Sequence, residues 1–184
     1  MTALRSDAAR SRARILEVAR RHDANTLRLN DVAREAGVGV GTVYRHFRNV
    51  SALAEALSAD TIDRMLEISR RAAAEPNPGE AFSLFVRSAL TLQLEDDGLQ
   101  TVLLSVEDET EAVRSAKQEI FGTFSTLLDR AKTVGAVRGD LTLDQLSHLV
   151  CGIEHAVRLG TPADRAPLLD IVLTGLRPAT EYSV

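Results

Sequence analysis

Leu29-Asn30-Asp31-Val32-Ala33-Arg34-Glu35-Ala36-Gly37-Val38-Gly39-Val40-Gly41-Thr42-Val43-Tyr44-Arg45-His46-Phe47 is the stretch that decides how this chain is read. Leu29, Val32, Ala33 and Ala36 recur at helical spacing and line one face of a short helix. Gly37 ends that helix, because it is free to take a positive φ that a β-carbon penalises. Val40, Val43 and Phe47 make the inner face of a second short helix. Ala33 is small where the two helices must cross closely. Two short helices joined by a glycine turn follow the helix-turn-helix plan. The second helix then presents Gly41, Thr42, Tyr44, Arg45 and His46 outward. An Arg can give two hydrogen bonds to guanine O6 and N7, while Thr, Tyr and His suit phosphate oxygens. Gly41 lets a backbone approach closely.

The charge around this stretch agrees with a polyanionic partner. The chain has 184 residues and a formal net charge of −4. Residues 1–50 hold ten Arg against five Asp plus Glu, a net of 10 − 5 = +5. Residues 51–184 hold twelve Lys plus Arg against 21 acids, a net of 12 − 21 = −9. A basic head on an acidic body points the head alone at a polyanion. Arg10, Arg12 and Arg14 lie just upstream of the motif.

Outward from the motif, every periodic segment is helical. Ile15, Val18 and Ala19 mark a helix near 7–22. Leu53, Leu57, Met65, Leu66 and Ala73 mark a long one from about 50 to 74. Phe82, Phe85, Ala89 and Leu92 form the stripe of a core-facing helix. Val113, Ala116, Ile120, Phe124, Leu127, Ala131 and Val134 repeat it over six turns. Leu143, Leu146, Val150, Ile153 and Val157 do so again, and Leu168, Leu169, Val172, Leu173 and Leu176 close the chain. The breakers fall between them: Pro76-Asn77-Pro78-Gly79, Asp96-Asp97-Gly98, Gly135, Gly139-Asp140 and Gly160-Thr161-Pro162. Thr142 or Asp140 is placed to cap the next helix. Residues 177–184 read as a frayed tail.

The segment from Arg14 to Leu57 resembles the TetR family of bacterial transcription regulators. The match is carried by Asp31-Val32-Ala33, Ala36-Gly37-Val38 and Gly41-Thr42-Val43-Tyr44, then His46-Phe47, with Ile15-Leu16 and Ala19 in the first helix and Leu53 in the fourth. Gly39 stands where the family commonly has a capping Ser, and Val50 where it commonly has a Lys. The link 20–25 lacks the usual aromatic and Gly. The resemblance implies an all-α fold: a three-helix DNA-binding head, here residues 1–47, and a helical ligand-binding and dimerisation body, 48–184. It implies a homodimer on a palindromic double-stranded operator, acting as a repressor that a small-molecule effector releases. Arg28, Val40, Gly41, Thr42, Tyr44, Arg45, His46 and Arg48 are the candidate DNA contacts. Leu146, Val150, Ile153, Val157, Leu169, Val172 and Leu176 are the candidate dimer interface. Phe82, Phe85, Leu92, Leu103, Phe121 and Phe124 are candidate pocket residues, and with no Trp and two Tyr in the chain the expected effector is apolar.

Other functions find little support. A lone cysteine, Cys151, excludes an internal disulfide or a multi-cysteine zinc cage. His148, Cys151 and His155 could share a metal at helical spacing, but packing at an interface is the plainer reading, and neither metal nor cofactor is expected. The run 107–111, rich in Glu and Asp, reads as a solvated helix start. No phosphate loop preceded by a strand and no nucleophile elbow occurs, so no enzyme is expected. No apolar run reaches the length of a membrane span, and Met1 to Asp7 has no apolar leader core, so the expected location is cytoplasmic. The alternative from another class is a helical small-molecule sensor whose head has lost DNA binding.

Overall fold

A computed structural model describes residues 2–22 and 26–178, the first five of them by backbone alone. Among the described residues there are ten α-helices, one short 3-10 turn and no strand. The chain divides into two compact units, one made of 1–62 with 96–114, the other of 63–95 with 115–184.

The first unit holds α1 (Thr2–Ala19), α2 (Leu29–Glu35), α3 (Val40–His46), α4 (Val50–Leu57) and α7 (Leu99–Leu104). Its core joins Ile15, Leu16, Val18 and Ala19 of α1 to Leu29, Val32 and Ala33 of α2, Val43 of α3, Phe47, and Leu53 of α4. Ala33 is buried in that core, as a close crossing of α2 and α3 requires. Gly37 has φ +61, and a Cβ there would lie 3.2 Å from the Arg14 guanidinium. That guanidinium donates to the Ala36 carbonyl at 2.7 Å, satisfying the open end of α2. Arg14 is therefore occupied in holding the head together. The first helix starts earlier than its apolar stripe suggested and stops at Ala19. Of the 20–25 link, residues 23–25 lie outside the described part.

The helix expected over 50–74 is two helices, α4 and α5 (Ala59–Ala73), divided at Ser58. Ser58 is fully buried and its hydroxyl donates to Asp96 Oδ1 at 3.2 Å. Ser58 stands at the break with φ −89 and ψ 4, off the helical values. The apolar stripe runs on across such a break, so periodicity alone does not mark it.

The second unit holds most of α5, α6 (Pro78–Glu95), α8 (Glu111–Thr133) from residue 115 on, α9 (Leu143–Leu159), the 3-10 turn Pro162–Asp164 and α10 (Arg165–Gly175). Phe82, Phe85, Val86 and Leu92 of α6 and Ile120, Phe124 and Leu127 of α8 are buried. The Phe85 and Phe124 ring centroids lie 4.7 Å apart. Asn77 Oδ1 accepts from the Gly79 and Glu80 amides and starts α6. Thr142 and Gln145 form a reciprocal capping box on α9. Gly135 closes α8 with φ +68, and Val134, read as part of the stripe, points outward at 57% exposure. The Arg138 amide donates to the Leu176 carbonyl at 2.8 Å, tying the end of α10 to the turn after α8. Of the tail, residues 179–184 lie outside the described part.

The expected dimer residues lie mostly inside. Leu146, Val150, Ile153, Val157, Leu169 and Leu176 are buried within the single chain, and Val172 is half-buried. They form the inner stripe of α9 and α10, and the periodicity that singled them out is the mark of a core-facing helix. The large apolar side chains left outside on these helices are Leu149, Leu159 and Ile171.

Candidate nucleic-acid interface

α3 shows one buried side chain, Val43, with Phe47 just beyond its end also buried. Burying those two against α1 and α2 turns Gly41, Tyr44 and Arg45 to solvent, with Thr42 and His46 half-buried. Val40 was expected to face both the core and a groove; it is 46% exposed, on the outer side of the first turn. Gly39 caps α3 with no side-chain bond, so the first amides of the helix remain available to an acceptor.

The structure brings Arg28, Tyr44 and Arg48 to one concavity. Arg28 precedes α2, Tyr44 stands on α3, and Arg48 precedes α4. Together with Leu29, Asn30, Asp31, Asn49 and Val50 they line a groove of about 530 Å³. Two guanidiniums and a phenol around one groove of this size suit a phosphate oxygen approached from several sides. Val50 lies in this wall where a cation was missing from the motif, and Arg28 and Arg48 supply the charge from either side of it.

Arg45 is folded along its own helix. Its Nε donates to the Gly41 carbonyl at 3.1 Å and its Nη2 to Thr42 Oγ1 at 3.1 Å. Reaching a base edge requires giving up these two exposed bonds. Arg12 lies over the Phe47 ring, 5.4 Å from its centroid, and Arg10 pairs with Asp7. The upstream arginines are thus partly engaged with the head itself.

Three residues outside the candidate contacts tie this wall to the segment after α7: Asn49, which lines the groove, Glu55 and Glu109. Asn49 Oδ1 caps α4 by accepting from the Ala52 amide at 2.8 Å. Asn49 Nδ2 donates to Glu109 Oε1 at 2.8 Å, and Arg48 pairs with Glu109 Oε2. Glu55, buried on α4, accepts from the Glu109 amide at 2.6 Å and from the Thr110 hydroxyl at 3.0 Å. The segment after α7 is therefore fastened to both ends of α4. Glu109 is no solvated helix-start acid, as its run suggested: its side chain is 10% exposed. The Asn49 amide, and next the Arg48 guanidinium, hold its carboxyl below the ordinary carboxylate range, against the opposing effect of desolvation. Only the short Asn49-to-Ala52 spacing of a helix cap was visible in the sequence for any of these three.

The other candidates divide. Phe82, Phe85, Leu92, Leu103 and Phe124 are buried and Phe121 is half-buried. Phe82 also borders a half-open cavity of about 900 Å³ with Arg87, Asp170 and Arg177. Among the described residues His148, Cys151 and His155 do not form part of a metal-sized cluster. No helix among them is long and apolar enough to cross a membrane.

Comparison with known proteins places this arrangement. Residues 13–57 match the family model described as bacterial regulatory proteins of the tetR family. Residues 77–178 match that of the transcriptional regulator SbtR-like C-terminal domain. A TetR transcriptional regulator of Streptomyces coelicolor is 32% identical over 92% of this chain and 99% of its own, with a TM-score of 0.53. AibR, solved with isovaleryl coenzyme A and operator DNA, shares the fold at 19% identity, with 92% of this chain and 98% of that one aligned and a TM-score of 0.64. An HTH-type transcriptional regulator of Staphylococcus aureus is 42% identical over 43 residues, 23% of this chain and 22% of that protein. A head model and a body model on one chain, each on the segment where the helices require it, settle the classification: the chain belongs to the TetR family of bacterial transcriptional regulators.

Proposed function

We propose that this protein is a sequence-specific repressor that binds a palindromic operator as a homodimer and leaves it when a small molecule occupies the body. The observation that carries the reading is the groove where Arg28, Tyr44 and Arg48 converge beside the exposed face of α3. Phosphates seated there fix the register of the head, and α3 enters the major groove with its N-terminal residues leading. Arg45, Thr42 and Gly41 then meet base edges, and His46 the backbone. AibR carries both an acyl coenzyme A and operator DNA on the same fold, which supports the effector half of the reading. The DNA-binding function is assigned to the head, 1–47, with Arg48 at its boundary, and effector binding and dimerisation to 48–184.

The dimer surface proposed here is the outer face of α9 and α10. His148, Leu149 and Gly152, exposed on α9, border an apolar groove of about 770 Å³ that the half-buried Val172 and the buried Leu176 also line. Leu149 and Ile171 are exposed large apolar groups at 40% and 67%. A second copy related by a two-fold axis covers such a face with itself.

One observation favours the sensor reading instead: Arg48 already holds a carboxylate, and Arg45 its own helix. Binding to duplex DNA at two salt concentrations separates the two. A repressor loses affinity with salt in proportion to its phosphate contacts and still discriminates among sequences. A sensor without DNA binding shows no preference at either salt.

A further inference from the structure

α6 and α9 pack on one another within the second unit. Gln93, in the last turn of α6, and Glu154, in the middle of α9, are both more than nine-tenths buried, at 8% and 5% exposure. Arg158 joins them: its Nε donates to Glu154 Oε1 at 2.9 Å and its Nη2 to the Gln93 carbonyl at 2.6 Å. Two side-chain oxygens of this cluster, Gln93 Oε1 and Glu154 Oε2, are buried and accept from nothing. A native fold rarely leaves such acceptors orphaned, since each bears its full loss of hydration.

We propose that Gln93 and Glu154 are the polar recognition point of the effector site, reading a neutral hydrogen-bond donor, a hydroxyl or an amide N–H, on an otherwise apolar molecule. The inference rests on the effector half of the proposed function. Both orphans are acceptors, so the group that meets them must donate. The charge of Glu154 is already offset by Arg158, so a neutral donor completes the cluster without burying a further charge. An anion would set oxygen against oxygen. One turn away on each helix the neighbours are apolar: Ala89 and Leu90 before Gln93, Val150 and Val157 around Glu154, all buried. The expected apolar effector thus acquires one required polar group.

Cyclohexanol, cyclohexanone and cyclohexanecarboxylate test this as probes of one ring with a donor, an acceptor and an anion. Binding is followed by calorimetry and by the shift in melting temperature of the full-length protein. Cyclohexanol should bind about tenfold more tightly than cyclohexanone, and the carboxylate should not bind. Glu154→Gln keeps an oxygen for Arg158 and turns the orphan acceptor into an N–H donor. In that variant the preference should reverse in favour of cyclohexanone. Gln93→Leu removes an orphan acceptor, so without probe it should melt no lower than the parent protein, and it should lose cyclohexanol binding. Equal binding of alcohol and ketone, an unchanged preference in Glu154→Gln, or no probe binding at all would overturn the proposal. A drop in melting temperature in Gln93→Leu would also overturn it, by showing that water, not a ligand, serves that oxygen. Operator binding measured with and without probe keeps the two readings apart. Alcohol binding with the expected reversal, but no effect on the operator complex, would leave the site standing and defeat the effector role.

Discussion

Arg45 and Gly37 act through different chemistry within one motif. Arg45 is bound only to exposed acceptors of its own helix, and bonds of that kind contribute little in water. Its reach to a guanine is therefore inexpensive. Arg45→Ala should cost about 1–3 kcal/mol against the preferred base at one operator position and flatten the preference there. Titration against operators varied at each position checks this. An equal loss on every sequence would make Arg45 a phosphate contact. Gly37 serves the fold. Its φ is +61, and the Arg14 guanidinium lies 3.2 Å from where a β-carbon would stand. Gly37→Ala should therefore destabilise the head by about 1–2 kcal/mol. Thermal unfolding reads that directly, and an unchanged melting temperature would contradict the turn geometry.

At the scale of elements, α4 is the helix whose surroundings matter most. Its cap, its buried Glu55 and the neighbouring Arg48 all engage residues 109 and 110. Glu55→Ala strands the Glu109 amide and the Thr110 hydroxyl, and should lower stability by about 1–3 kcal/mol. Chemical denaturation measures it; a variant as stable as the parent would show that the tie contributes nothing. The pH response follows from the sign of the shift. The Glu109 carboxyl is held below its ordinary value in the folded protein. Its contribution is present above the unfolded value of about 4 and disappears as pH falls through the folded one. Glu109→Gln should therefore flatten part of the acid limb of the stability curve, and an identical limb in both proteins would contradict the assignment. The helices themselves were legible because a stripe of apolar residues is a local, periodic signal. Leu29 to Phe47 needed only spacing and one glycine. Glu109 was misread because its partner is 61 residues away, and a contact between distant segments leaves no period. The division at Ser58 left no periodic mark either, and its hydroxyl partner, Asp96, is 38 residues away.

At the scale of the whole molecule, the same periodic signal does not choose the dimer residues. A stripe tells that one face is apolar, but not whether its own chain or a second one covers it. Val150 and Ile153 are covered by their own chain, so a Glu at either position should unfold the body. Leu149→Glu with Ile171→Glu should instead give a folded monomer with weakened operator binding. Sedimentation with circular dichroism distinguishes these outcomes, and a persistent dimer in the double variant would move the interface elsewhere. The charge split between residues 1–50 and 51–184 was legible from the sequence alone. What closes α4 against its neighbours, and that Gln93 and Glu154 each leave a buried oxygen unpartnered, depended on three-dimensional pairing.

Selection of duplexes from a random DNA pool, repeated at two salt concentrations, tests the central claim most directly. A dimeric reader enriches a palindrome whose half-sites lie about one helical turn, roughly 34–36 Å, apart, with affinity that falls as salt rises. A pool that stays random at both salts, with only weak salt-sensitive retention, would contradict sequence-specific binding and leave the head as a basic surface.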